Sequence, residues 1–221
     1  MTTSPTHVLP SRELSPLPAT LPVDQAHYWA SPFEEPQFHP VLPVFVSQEA
    51  YTRLVTHAAS ELEYEVGGIL VGNWCADVVT GQQFIIAESS LPARFTRQGT
   101  SYLTFTQDSL VDFHTVLDEK FPNKQIIGWY HTHPRMGVFL SHYDTWLHHH
   151  FFQESWQVAL VIEPHSSTGG FFIRQADGVL DPGRYFGFYE LDGGSGQSIV
   201  NWSNLSQGLV RTGEKGVDSH E

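Results

Sequence analysis

The chain has 221 residues, 40% of them hydrophobic and 13% aromatic, a formal net charge of −13 and a single cysteine, Cys75. This length supports one domain with a substantial core, and the acidity argues against nucleic acid, whose phosphates need a basic face. One cysteine excludes an internal disulfide or a cysteine-built zinc site and fits the reducing cytoplasm, and no run of about 18 apolar residues is present to span a membrane as a helix.

Eight of the fourteen prolines fall in residues 1–40, which excludes a regular helix or central strand there. This stretch reads as a Pro-rich leader, extended or partly disordered, whose aromatics Tyr28, Trp29, Phe33 and Phe38 are expected to dock on the chain's own domain. Residues 1–12 lack the basic-then-apolar pattern of a signal peptide. The folded part is expected to span residues 41–191.

Val44 to Val46 reads as a short strand. Ser47 is placed to cap a helix running to about Glu61, with Leu54, Ala58 and Leu62 at helical spacing. Strands are predicted at Val66 to Gly72 and Phe84 to Glu88, with polar, irregular chain from Leu91 to Thr100. Thr106 is placed to cap a helix over 110–121, with Leu110, Phe113 and Leu117 on one face, ending at Pro122. Ile126 to His133 reads as a buried strand, and a helix runs from Ser141 to about Phe152. Strands follow at Val158 to Ile162, at Phe171 to Arg174 after a Gly169-Gly170 break, and at Tyr185 to Tyr189. Strands mixed with helices imply an α/β domain around one sheet. Residues 192–221 read as a polar, Gly- and Ser-rich tail with a short docked piece at Ile199 to Leu205.

The most constraining segment is His131-Thr132-His133-Pro134, followed by Ser141-His142-Tyr143-Asp144. Residues two apart on a strand point to the same face, so both imidazoles can aim at one point. Pro134 stops the strand, Gly137 permits a sharp return, and a helix starting at Ser141 brings Asp144 back in its first turn. Separately, Ser-x-x-Asp also fits a plain capping box, and a His-x-His pair also occurs without metal. Together they make three protein ligands, His131, His133 and Asp144, with a fourth tetrahedral position left for water, as a catalytic zinc requires. Hydrolysis also needs a carboxylate to move protons. Glu61, Glu63 and Glu65 all stand near the head of an apolar strand. His148 lies four residues after Asp144, on the same helical face. It is placed either to support the site or, with His149 and His150, to form a polar helix face titrating near pH ~6.5.

The segment resembles the signature of the JAMM (MPN+) metallopeptidase family: H-x-H-P, six residues, then S-x-x-D. The stretch Glu65-Val66-Gly67-Gly68-Ile69-Leu70-Val71-Gly72 fits the family's upstream E-x-x-G-x-L-x-G, which selects Glu65. The flanks of the histidines resemble the deubiquitinase members, and the compact domain resembles a prokaryotic representative. The resemblance implies an α/β fold, a single MPN/JAMM-type domain with a curved mixed β-sheet sandwiched by helices. It implies one catalytic zinc ion, Glu65 as general base and acid, and Ser141 as a donor to the oxyanion. The implied reaction is cleavage after the C-terminal glycine of ubiquitin or a ubiquitin-like protein, in conjugates or precursors, with E1- and E2-like proteins as pathway partners. Residues 89–105 lie where such enzymes carry a substrate-gripping insertion, and read equally as an ordinary surface loop. The competing readings are a non-catalytic MPN scaffold, which typically loses the ligands present here, a sulfur-carrier-processing member, and a RadC-like protein, which the acidity opposes.

Overall fold

The computed structural model describes residues 15–34, 40–94, 96–98 and 103–208. In chain order the elements are β1 (Leu17–Ala19), β2 (Ala26–Ala30), β3 (Val44–Ser47), α1 (Gln48–Ala59), β4 (Gly67–Asp77), β5 (Gln83–Pro92), β6 (Thr96–Gln98) and β7 (Leu103–Phe105). Then come α2 (Gln107–Lys120), β8 (Gln125–Thr132), α3 (His142–Phe151), β9 (Val158–Glu163), β10 (Thr168–Phe172), β11 (Phe188–Leu191) and β12 (Ser206–Gln207). Ten strands form one mixed sheet in the order β10-β9-β8-β4-β5-β3-β11-β2-β12, with β1 added beside β4. β6 and β7 pair with each other as a separate two-stranded sheet. The fold is a curled mixed sheet with helices against it, as the resemblance implies.

The centre of the sheet is built for burial on both faces. Every residue of β9 is buried, which its apolar run Val158 to Ile162 dictates. Ser47 caps α1 by accepting from Ala50 N, and the helix lays Ala50, Tyr51, Leu54 and Ala58 on the sheet. Each large side chain buried this way contributes about 1.5–3 kcal/mol. On that face the Tyr130 hydroxyl meets His57 Nδ1 of α1 at 2.8 Å. The neighbouring Trp129 must point the other way. There it meets His148 of α3 and Phe105, and Phe105 packs edge-on against Phe113 of α2. Helices therefore cover both sides, as expected.

Several details depart from the sequence reading. α1 stops at Ala59, because Ser60 turns back onto His57 O through both its N–H and its hydroxyl; Leu62 lies beyond the helix and is 39% exposed. Gly169 and Gly170 do not separate two strands but sit inside β10. A Cβ at Gly169 would lie 2.7 Å from the Trp202 ring, and one at Gly170 2.4 Å from the Tyr185 ring, so the glycines make room for aromatics. The sheet also extends outside residues 41–191. β1 pairs with β4, β2 pairs with β11 and β12, and Trp202 and Leu205 are buried in the core. Tyr28 stacks on Tyr189 and Phe33 packs edge-on against Tyr185. Phe38, residues 1–14 and residues 209–221 lie outside the described residues. Among the described residues no helix is long and apolar enough to cross a membrane.

Candidate metal centre

β8 carries His131 on its core face, and the extended backbone continues one step further, where His133 N donates to Ile162 O of β9 at 2.9 Å. Pro134 cannot continue that ladder. Met136 N bonds back to His133 O, and Gly137 takes a left-handed φ of 87°. The chain thus returns to Ser141, the N-cap of α3. Ser141 Oγ accepts from Asp144 N at 3.1 Å, and Asp144 Oδ2 accepts from Ser141 N at 2.7 Å. This capping box holds the Asp144 carboxylate against the two imidazoles.

The resulting cluster is tight and buried. His131, His133 and Asp144 are 0, 2 and 2% exposed. The two Nε2 atoms lie 2.9 Å apart, and Asp144 oxygens lie 3.3 Å from His131 Nε2 and 3.5 Å from His133 Nε2. Their ligand atoms all fall within 4.8 Å of one another. Burial pushes the His131 pKa down, and the attraction of Asp144 only partly offsets it. Burial alone would raise the Asp144 carboxyl, but His131, His133 and Ser141 outweigh it and hold Asp144 well below the usual carboxylate range. Gly137 O lies 3.2 Å from His133 Nδ1; a proton donated there leaves the lone pair on Nε2. Two imidazole nitrogens and one anionic oxygen facing a common point form a donor set that fits a divalent cation.

Glu65 lies just before β4 and is 1% exposed. Its Oε2 is buried without a hydrogen-bond partner. Burial, and then the negative charge of Asp144, push its pKa up to about 8. The other two candidates go elsewhere: Glu61 Oε1 accepts from the N–H groups of Glu63 and Tyr64, and exposed Glu63 faces Arg135 at 3.5 Å. Gly67 explains the close approach of this segment. It pairs with His131 across the β4–β8 ladder, and a Cβ there would lie 2.4 Å from Tyr130 O.

The histidine tract divides. His149 and His150 are exposed, whereas His148 is 2% exposed and its Nδ1 accepts from Trp129 Nε1 at 3.0 Å. Burial, with the nearby charges of Arg174 and His149, pushes the His148 pKa down to about 3. His148 is therefore a neutral core group and not part of a titrating surface. Sequence reasoning missed Trp129, which stacks on His131. Its signal was there: on a strand, a residue two before a ligand shares the ligand's face.

The family described as JAB1/Mov34/MPN/PAD-1 ubiquitin protease matches residues 39–155. Among curated proteins, the chain is 26% identical over 143 residues to the ubiquitin carboxyl-terminal hydrolase RPN11 of Saccharomyces cerevisiae, covering 63% of this chain and 44% of that protein. It is 29% identical over 145 residues to COP9 signalosome complex subunit 5 of Oryza sativa subsp. japonica, covering 64% and 37%. It is 32% identical over 129 residues to the NAD(+) hydrolase TcpA of a Theionarchaea archaeon, covering 58% and 36%. The matches span less than half the length of each of these relatives.

Proposed function

Since this chain belongs to the JAB1/Mov34/MPN/PAD-1 family, we propose that it is a zinc-dependent peptidase that hydrolyses the bond after the C-terminal glycine of ubiquitin or a ubiquitin-like protein. The observation that carries this reading is the convergence of His131 Nε2, His133 Nε2 and the Asp144 carboxylate, with Glu65 buried within reach of the Asp144 charge and one of its oxygens unpartnered. A scaffold that only binds partners has no need to bury two carboxylates and two imidazoles together, since each costs desolvation free energy.

His131, His133 and Asp144 would hold the zinc. When bound, zinc supplies a Lewis acid and lowers the pKa of water at the site to about 7. Glu65 accepts the proton of the attacking water and later delivers it to the leaving amine. In the metal-free chain burial and the Asp144 charge raise its pKa to about 8. Ser141 Oγ accepts from Asp144 N, which uses a lone pair and leaves the hydroxyl proton free to donate to the developing oxyanion. Burial of the three ligands keeps competing water away from those charges.

A Gly-Gly tail is thin and extended and can pair with a sheet edge or loop backbone. The β6–β7 pair lies within the stretch expected to grip substrate. The name of the yeast relative, a ubiquitin carboxyl-terminal hydrolase, and the description of the family as a ubiquitin protease support the substrate class. The test is cleavage of a linear ubiquitin fusion, and of a panel of ubiquitin-like fusions, by protein loaded with zinc and by protein stripped with a chelator. Zinc-dependent release of the C-terminal partner is expected. Stoichiometric zinc without any cleavage across the panel would refute the reading.

A further inference from the structure

A histidine that gives one ring nitrogen to a metal is ordinarily oriented by a hydrogen bond from the other. His133 conforms, through Gly137 O. His131 does not: its Nδ1 is buried with no hydrogen-bond partner. What lies against this ring is a flat face. The Trp129 indole stacks on the imidazole with centroids 4.6 Å apart and planes 9° from parallel. The indole is itself fixed at its edge, where Nε1–H donates to His148 Nδ1 at 3.0 Å. Phe152 stacks against both partners, at 5.8 Å from Trp129 and 6.1 Å from His148.

We propose that Trp129 is the positioning residue that aims His131 at the metal, and that His148 of α3 holds Trp129 in place. The proposal rests on the reading of His131 as a zinc ligand. An indole that lacked its bond to His148 could rotate about its side-chain torsions, and the imidazole stacked on it would gain the same freedom. With Nδ1 accepting, the proton of neutral His148 resides on Nε2, and that N–H is buried without a partner. Leaving a buried donor unsatisfied opposes folding, so His148 is a poor choice for stability alone. Replacing both members by apolar groups of similar shape would be nearly neutral. The polar pair instead stands directly behind a metal ligand, where ring orientation matters. The two imidazoles of the site are thus oriented by different devices, His133 by a backbone carbonyl and His131 by a stacked indole tied to the adjacent helix.

The test measures zinc dissociation constants by competition with a chromogenic chelator, and the visible spectrum of the cobalt-substituted protein, for the unmodified chain, Trp129→Leu, His148→Phe and His148→Gln. Trp129→Leu should weaken zinc binding about 10–100-fold and His148→Phe about tenfold, each with a shifted cobalt band. His148→Gln, whose amide oxygen can still accept from the indole, should stay near the unmodified value. A purely structural role would lower the melting temperature and leave affinity and spectrum in place, and that result overturns the proposal. Should the Leu and Phe variants not fold, the zinc-free unmodified chain decides by NMR. The His131 ring protons should be shifted upfield by the indole, and the Trp129 Nε1–H should exchange slowly; unshifted, averaged resonances overturn the proposal. If the unmodified chain binds no zinc at all, the metal-centre reading fails, an outcome separate from failure of the stacking relay.

Discussion

Thr132 holds Val66 by both of its backbone polar groups: Thr132 N donates to Val66 O at 2.8 Å, and Thr132 Oγ1 accepts from Val66 N at 2.9 Å. Thr132 stands between the two histidines and faces away from them; Val66 follows Glu65. The clamp therefore ties the position of the proton-transferring carboxylate to the strand that carries the ligands. Thr132→Val keeps the shape but leaves Val66 N–H without a partner, at a cost of about 1–2 kcal/mol. The expected outcome is a lower kcat with unchanged KM and zinc content, and Thr132→Ser should recover most of the loss. Equal kcat in Val and Ser variants would show that the hydroxyl does not position Glu65.

Glu65→Gln should retain zinc and fold but lower cleavage by about 10²–10⁴-fold. A second effect follows in the metal-free protein. Burial and the Asp144 charge raise Glu65 from 4.5 to about 8, so between those values the unfolded chain has released a proton that the folded chain keeps. Stability from this group is fully present below pH 4.5 and is lost as pH rises to 8. Glutamine does not titrate. Melting temperatures in chelator should therefore show a Glu65→Gln advantage that is absent near pH 4.5 and largest above pH 8. A difference independent of pH would mean that Glu65 is ionised throughout. His131, whose pKa burial lowers, acts oppositely, losing stability on acidification, and is common to both proteins.

Asp144 has two roles that one pair of substitutions separates. Its carboxylate faces both imidazoles and also accepts from Ser141 N. Asp144→Asn can keep the cap through its amide oxygen while losing the negative charge, so zinc content should fall, and the stability that the depressed carboxyl contributes at neutral pH is lost with it. Asp144→Ala loses both, and should cost a further ~1 kcal/mol through the helix N-terminus. Plasma emission spectrometry and urea unfolding together check this. Full zinc occupancy in the Asn variant would remove the charge of Asp144 from the donor set.

The parts of this molecule that local chemistry dictates were legible in the sequence. The alternation of His131 and His133 is a property of extended chain. The caps at Ser47, Thr106 and Ser141 follow from short hydroxyl side chains ahead of apolar periodicity. Glu65 was distinguishable from Glu61 and Glu63 only through the family's glycine pattern, because burial of the charge depends on a contact between β4 and β8 that sequence does not show. His148 was ambiguous for the same reason: its partner, Trp129, is nineteen residues away on another element. β1 and β2 were read as extended leader because they are short and lie among prolines. Their strand character comes from long-range pairing with β4 and β11, which no local pattern encodes.

That long-range pairing has a specific fastener. Glu190 of β11 is fully buried. Its Oε2 accepts from Trp29 Nε1 at 3.1 Å, and its Oε1 accepts from Gln48 Nε2 and from Ile199 N, each at 2.8 Å. One carboxylate thus joins β2, the start of α1 and the stretch leading to Trp202. Glu190→Ala would take the acceptor from Trp29 Nε1 and Ile199 N, while Gln48 Nε2 keeps Gln197 O, and should destabilise the chain by about 1–3 kcal/mol. Glu190→Gln, which keeps one acceptor oxygen, should lose about half of that. Because β11 is separated from β8 by β3, β5 and β4, zinc affinity should stay unchanged in both variants once they are folded. Urea unfolding and chelator competition measure the two quantities independently. Stability within about 0.5 kcal/mol of the unmodified chain would show that residues 15–34 and 192–208 are held by their strand pairing and apolar contacts, with Glu190 incidental to them.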